Sequence, residues 1–228
     1  MCGRFAFFGK GSLGYESLHL PEPPLFENYN ITPSQDILAI RTSPETGQPE
    51  YTMLHWGLVP FWSKSAKTKF PLINARSEGI ETKPSFRDPF KRRRCIIPAS
   101  GFYEWQKVEE HKQPYFIRPI DDQYFSLAGL WDSWRGENGE DINSCAIITT
   151  TANTIMKEIH DRMPVILGKM NVAAWLDPGE GQANILAMLE PYPESLTEIY
   201  PVSSKVNSPK NNGPECVTRS LNSNRFIP

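Results

Sequence analysis

Tyr124-Phe125-Ser126-Leu127-Ala128-Gly129-Leu130-Trp131, then Arg135-Gly136-Glu137-Asn138-Gly139-Glu140-Asp141, then Ile142-Asn143-Ser144-Cys145-Ala146-Ile147-Ile148-Thr149-Thr150: the reading of this stretch decides the fold. Its outer runs are rich in β-branched, aromatic and aliphatic residues, which suit a pleated, buried surface. Between them Asn138-Gly139 is the dipeptide that accepts the backbone twist of a tight hairpin turn. Working outward, strand-like runs precede the hairpin at 4–8, 37–42, 51–56, 95–98, 101–106 and 115–118, and one follows at 164–167. Helix-like runs at 12–20, 85–88 (one turn at most), 152–160, 172–176 and 183–189 are short. Strands dominate and do not alternate regularly with helices, which argues against a doubly wound sheet. The expectation is an α+β fold: a single domain over residues 1–228 with a mostly antiparallel, barrel-like β core flanked by short helices.

The 228 residues, 39% hydrophobic and 22% charged, exclude a disordered or collagen-like chain. A chain this long hides roughly 70% of its unfolded surface without disulfide or metal staples. No apolar run approaches the ~18–20 residues that span a bilayer, and the first residues lack the basic-then-apolar pattern of a secretory signal. The expectation is a cytoplasmic protein. The four cysteines, Cys2, Cys95, Cys145 and Cys216, form no CxxC pair. Cys95 and Cys145 lie in apolar strand-like runs and read as small buried hydrophobes. No glycine-rich phosphate loop and no clustered ligand set is written in the chain, so neither a cofactor nor a metal is expected.

The net charge of −2 conceals an asymmetry: residues 63–94 carry ten basic side chains against three acidic ones, a local +7 against −9 for the remainder. Such a block fits either a face for a polyanion or a solvated, charge-mixed surface. Trp62, Phe70, Phe86 and Phe90 are interleaved with it. Aromatics among cations suit single-stranded nucleic acid, where bases stack and phosphates find positive charge; Phe86 and Phe90, flanking a turn at Pro89, read better as core anchors.

Four residues could carry chemistry. Cys2, once Met1 is removed, bears an α-amine and a thiol on adjacent carbons. The α-amine has a pKa of about 7.7–8.0, against about 10.4 for lysine. Such an aminothiol closes a thiazolidine ring on an aldehyde through a Schiff base. Glu104, a lone acid in Gly101-Phe102-Tyr103-Glu104-Trp105, is either a proton shuttle in apolar surroundings or an outward strand residue. It shares a strand face with Phe102, and Tyr103 shares the other with Trp105. His160, in Ile159-His160-Asp161-Arg162-Met163-Pro164, sits at the end of a helix-like run, where protonation is favoured; it reads as a general acid or a helix cap. Asn74, in Leu72-Ile73-Asn74-Ala75-Arg76-Ser77-Glu78, either orients a nucleophile or caps a turn. His19, His55 and His111 read as structural or solvated.

Taken together these motifs resemble the SOS response-associated peptidase (SRAP) family nearly end to end. The resemblance is carried by Met1-Cys2-Gly3-Arg4-Phe5, Tyr29-Asn30-Ile31-Thr32-Pro33 and Trp56-Gly57-Leu58-Val59-Pro60-Phe61-Trp62. The segments around Asn74, Glu104 and His160 continue it, with Pro201-Val202-Ser203 and Val206-Asn207 beyond. It implies a sensor of abasic sites in single-stranded DNA that couples covalently through Cys2 after loss of Met1, a loss proposed to be autoproteolytic. On that resemblance Cys2 is the nucleophile, Asn74 positions it, and Glu104 and His160 move protons. Arg4, Arg76 and Arg162 hold phosphates, and Trp62 and Trp105 contact bases. No membrane and no obligate protein partner is implied. The residues alone leave two alternatives: a non-covalent single-strand binder, and a cysteine peptidase acting on other proteins.

Overall fold

The computed structural model describes residues 2–9, 13–24, 26–66, 71–120 and 123–220. The Met1 to be removed, the expected helix start at Ser12, and Lys67, Lys69 and Phe70 of the basic block lie outside the described residues.

In chain order the elements are β1 (Phe5–Phe7), β2 (Asn28–Ile31), β3 (Asp36–Thr42), β4 (Pro49–Trp56), β5 (Asn74–Arg76) and α1 (Arg87–Arg92). Then come β6 (Arg94–Ala99), β7 (Gly101–Val108), β8 (His111–Pro119), β9 (Phe125–Arg135) and β10 (Asp141–Thr151). The chain continues through α2 (Thr154–Lys157), β11 (Arg162–Pro164), β12 (Ile166–Leu167), α3 (Val172–Leu176), α4 (Gln182–Ala187) and β13 (Thr197–Pro201).

The β9–β10 hairpin is the organising unit. Its strands pair from Asp141↔Arg135 to Ile147↔Gly129, and Gly139 at the turn has φ +82°, a conformation that strains any residue with a Cβ. From β9 the sheet continues antiparallel through β6, β3 and β4. It closes where β4 meets β10 in parallel, at Ser144↔His55 and Cys145↔Trp56. The result is a five-stranded closed, mixed barrel, which removes the open edges that a sheet of this size would expose. The far end of β10 projects past the ring and carries β5 on one edge (Ile147↔Asn74, Thr149↔Arg76) and β11 on the other (Thr149↔Pro164, Thr151↔Arg162).

A second, antiparallel sheet, in the order β13-β8-β7-β1-β2, packs beside the barrel. The chain passes from one sheet to the other at Ser100, whose hydroxyl donates to Phe8 O at 2.8 Å while its N–H donates to Ala6 O at 2.8 Å. Phe5, Phe7, Phe102 and Ile117 pack into the cluster shared with the barrel. Ala6, Tyr103, Phe116 and Tyr200 form a smaller cluster on the opposite face, under Val202, Val206 and Cys216 of the C-terminal segment.

The basic block does not form one face. Arg94 is buried, and its guanidinium donates to Trp175 O at 2.6 Å, Phe90 O at 2.7 Å and Asp177 O at 2.5 Å. It thereby satisfies orphan carbonyls at the C-terminal ends of α1 and α3, which would otherwise be buried without partners. Phe86 and Phe90 are core residues as expected, but α1 runs to Arg92, past the single turn expected at 85–88. No helix of the described residues is long and apolar enough to cross a membrane.

Candidate active site

Cys2 is fully buried in the barrel-side cluster. Period-2 alternation would place it with Arg4 and Ala6 on the other face of the sheet, but β1 begins only at Phe5 and the alternation does not extend back to Cys2. Asn74 reaches it: Nδ2 donates to Cys2 O at 2.9 Å. Asn74 is not the turn or cap residue that its surroundings suggested. It is the first residue of β5, fixed by the parallel pairing to Ile147. Its Oδ1 is buried and accepts no hydrogen bond. An orphaned acceptor of this kind costs about 1–3 kcal/mol.

Glu104 lies on β7, on the strand face it shares with Phe102, and is 4% exposed. That settles the choice left open by its sequence: it points inward. Burial raises its carboxyl above the ordinary 4.5, and the nearby His160 works against that rise. Burial, reinforced by the negative charge of Glu104, pushes the Cys2 thiol from 9.0 up to about 12, against a lowering contribution from the Arg4 backbone N–H. Charge on Glu104 and charge on the sulfur therefore oppose each other.

His160 closes the C-terminal end of α2, where its backbone N–H donates to Met156 O at 2.8 Å, and opens the connection to β11. α2 has only four residues and stops at Lys157, so it brings little dipole to bear. Its Nδ1 accepts from Arg162 N at 3.0 Å, which leaves the proton of the neutral ring on Nε2. Protonated, the same nitrogen pairs with Asp161 at 2.9 Å. Gln106 Nε2 donates to Glu158 O at 2.7 Å and ties β7 to this connection. The four candidate residues thus come from four separate elements and converge.

The five residues expected at DNA fall into three groups. Arg76 and Arg162 flank Thr149: Arg76 is exposed beside it on β5, and Arg162 Nη2 donates to Thr149 O at 2.6 Å. Arg162 also makes a two-pronged pair with Glu78, one arm at 2.9 Å, and this pairing holds the Glu78 carboxyl below its ordinary range. Arg4 forms a second group with Trp105. Its guanidinium lies 5.8 Å from the Trp105 ring and donates to Asn30 Oδ1 at 2.6 Å and Val206 O at 2.7 Å. Trp105 Nε1 donates to Asn207 Oδ1 at 2.7 Å. Trp62 stands apart, 54% exposed on the loop that leaves β4.

Glu78, Asn30, Val206 and Asn207 are the supports that sequence reasoning missed. All four lie inside the quoted motifs, but nothing in a linear pattern shows that an arginine already has a partner. A cavity of about 560 Å³ lined in part by Asp36, Met53, His55 and Asn143 includes none of the residues above. Among the described residues, no group of three or more His, Cys, Asp or Glu side chains could hold a metal ion.

The geometry sets a buried cysteine near the start of the chain against an amide and beside a carboxyl, with an imidazole close to that carboxyl. The family model for SOS response associated peptidase (SRAP) matches residues 1–209, and the chain belongs to that family. It is 42% identical over 223 residues to the abasic site processing protein YoqW of Bacillus subtilis, covering 95% of this chain and 99% of that protein. It is 36% identical over 196 residues to the mouse abasic site processing protein HMCES, covering 72% of this chain and 55% of that one. A crystal structure of a protein from Bacteroides thetaiotaomicron superimposes with a TM-score of 0.85 at 30% identity, over 96% of this chain and all of that one.

Proposed function

We propose that this protein processes abasic sites in single-stranded DNA, as a single SRAP domain over residues 1–228, by closing a thiazolidine between Cys2 and the ring-opened deoxyribose. The observation that carries the reading is the placement of Cys2, one residue from the start of the chain, against Asn74 and beside Glu104. Membership of the family and the names of the YoqW and HMCES relatives supply the substrate.

The sequence of steps follows from the acidities. A thiol pushed up to about 12 is almost wholly protonated at neutral pH and is a poor first nucleophile. The α-amine freed by loss of Met1 is the better one. It adds to the aldehyde carbon, and the carbinolamine loses water to give a Schiff base. The thiol then adds across the C=N bond, its proton passing to nitrogen, so that one aldehyde and one aminothiol give one ring and one water. Glu104, with its raised carboxyl, takes a proton from the amine and returns it to the departing hydroxyl. His160 protonates the sugar ring oxygen to open it and assists reversal. Asn74 fixes the Cys2 backbone so that amine and thiol face the same carbon. Arg4, Arg76 and Arg162 hold phosphates, and Trp62 and Trp105 contact bases. The proposal includes autoproteolytic loss of Met1, in which water cleaves the Met1–Cys2 amide to give free methionine and the Cys2 α-amine.

Intact-mass spectrometry of the purified protein, before and after mixing with an abasic oligonucleotide, tests the reading. The expected result is a chain lacking Met1 that gains the oligonucleotide mass less one water. A chain without Met1 that gains no mass overturns covalent capture. Binding to undamaged strands is expected to weaken steeply with salt as neutralised phosphates release counterions; a flat response removes DNA from the reading.

A further inference from the structure

The loop that leaves β4 carries two exposed aromatics in succession, Phe61 at 52% and Trp62 at 54%. Phe61 is not loosely placed. Its backbone N–H donates to Asp132 Oδ2 at 3.0 Å, and the loop is tied again where Trp134 Nε1 donates to Ser63 O at 2.7 Å. The same Asp132 carboxylate, buried at the end of β9, pairs through Oδ1 with Arg93 Nε at 3.2 Å. One buried acid therefore holds a loop aromatic and a cation side by side, with the Arg93 guanidinium 5.9 Å from the Phe61 ring centroid. Immediately before Arg93, Lys91 and Arg92 are exposed at the end of α1, and neither is paired with an acid among the described residues. The neighbouring acids are otherwise engaged or set back: Asp132 by Arg93, Asp177 and Glu180 facing Arg94, and Asp88 half-buried.

Resting on the proposed function, we infer that Phe61, Arg93, Lys91 and Arg92 form a second contact for single-stranded DNA, a platform that takes nucleotides several positions from the lesion. Charge complementarity and the fixed aromatic–cation pairing select this occupant. Bases stack on exposed rings regardless of sequence, and phosphates find the unpaired cations. Position supports it as well. Asp132 pairs with Ser144 on β10, whereas Asn74 and Arg76 face Ile147 and Thr149 on the same strand. At ~3.3 Å per residue that is roughly 10–17 Å, beyond the reach of the nucleotide held at the site. The loop also stands on the Leu58↔Leu72 bridge, two residues before Asn74, which fixes where the loop leaves the site.

Fluorescence anisotropy with undamaged oligothymidylates, a long 20-mer and a short 5-mer, tests the platform without any covalent step. The double variant K91E/R92E is expected to bind the long strand about tenfold more weakly, with the salt slope reduced by about 1.4 for two lost phosphate contacts. Phe61→Ser, at an exposed position, is expected to cost a similar factor through lost stacking. Both variants should bind the short strand within twofold of the parent, and the charge-keeping K91R/R92K should restore long-strand affinity. Unchanged affinity and slope on the long strand overturn the inference, as does an equal loss on both lengths. Adduct formation with a short abasic strand separates this from the proposed function: the parent failing to form it defeats that reading, while an adduct formed equally by the parent and by K91E/R92E leaves the platform to be judged on the long strand.

Discussion

Cys2 and the barrel pair Cys95 and Cys145 are buried to the same degree, yet their surroundings differ in kind. Cys95 and Cys145 lie on β6 and β10, the two barrel strands that flank β9, and burial drives both thiols far up. Cys2 is also pushed up, but it meets an amide at its carbonyl, a backbone N–H at its sulfur and a buried carboxyl. Burial alone does not mark a reactive cysteine. On the proposed function, what distinguishes Cys2 is the amide, the carboxyl and the backbone N–H gathered around it.

The comparison can be broken most sharply by substitution of the thiols. Cys2→Ala is expected to abolish the heat- and SDS-resistant adduct with an abasic oligonucleotide while leaving weak strand binding; Cys95→Ala should leave adduct yield unchanged. An adduct surviving in Cys2→Ala would assign the chemistry to another nucleophile. Glu104→Gln is next, with adduct formation slowed on the order of 100-fold, the usual size of a lost proton-transfer group. Its strand affinity should stay within twofold of the parent in the same anisotropy assay.

Glu104 also sharpens the comparison through stability. Its folded carboxyl is raised above 4.5, so the folded state keeps a proton that the unfolded state has lost. Stability from this group is fully present below pH 4.5 and falls as pH climbs through the raised value. Glu104→Gln, which cannot ionise, should therefore be more stable than the parent at neutral pH, and the advantage should vanish below about pH 4.5 in urea titrations. An advantage independent of pH would mean that the Gln simply packs better.

On the barrel side, Gly129→Ala places a Cβ 2.8 Å from Cys95 Sγ and 2.9 Å from Ile97 Cδ1, in a wall with no room to give. A loss of about 1–3 kcal/mol is expected, read as a lower urea midpoint, with adduct formation by the folded fraction intact. The smallest effect is on labelling: native Cys2 should react with iodoacetamide at neutral pH nearly as slowly as Cys95, because neither is appreciably a thiolate. Fast labelling of Cys2 alone would favour thiol-first chemistry.

Much of the barrel was legible because its strands are long apolar runs and because Asn138-Gly139 announces its central hairpin. Its closure was not, since the parallel β4–β10 contact joins residues about ninety positions apart and leaves no local pattern. β2, β5 and β13 escaped notice because they are short and carry Asn, Arg, Glu or Pro instead of an apolar alternation. Asn74 therefore carries no strand signal, and its linear surroundings leave a turn or cap beside the reading as an orienting residue. Period-2 reasoning put Glu104 on the face of Phe102, but only the packing of the second sheet against the barrel shows that this face is inward. Arg94 misled in the opposite sense: counted with its basic neighbours as surface charge, it is a buried clamp on helix ends. Composition counts charges without saying which are already spent on the fold.

The Leu58↔Leu72 bridge has a consequence of its own. By pinching both feet of the intervening excursion, it insulates Asn74 from whatever lies between them. Insertions, deletions or exchanged aromatics in that excursion can retune which strands are gripped without disturbing the reacting centre. On the proposed function, grip and chemistry can thus be altered independently of each other.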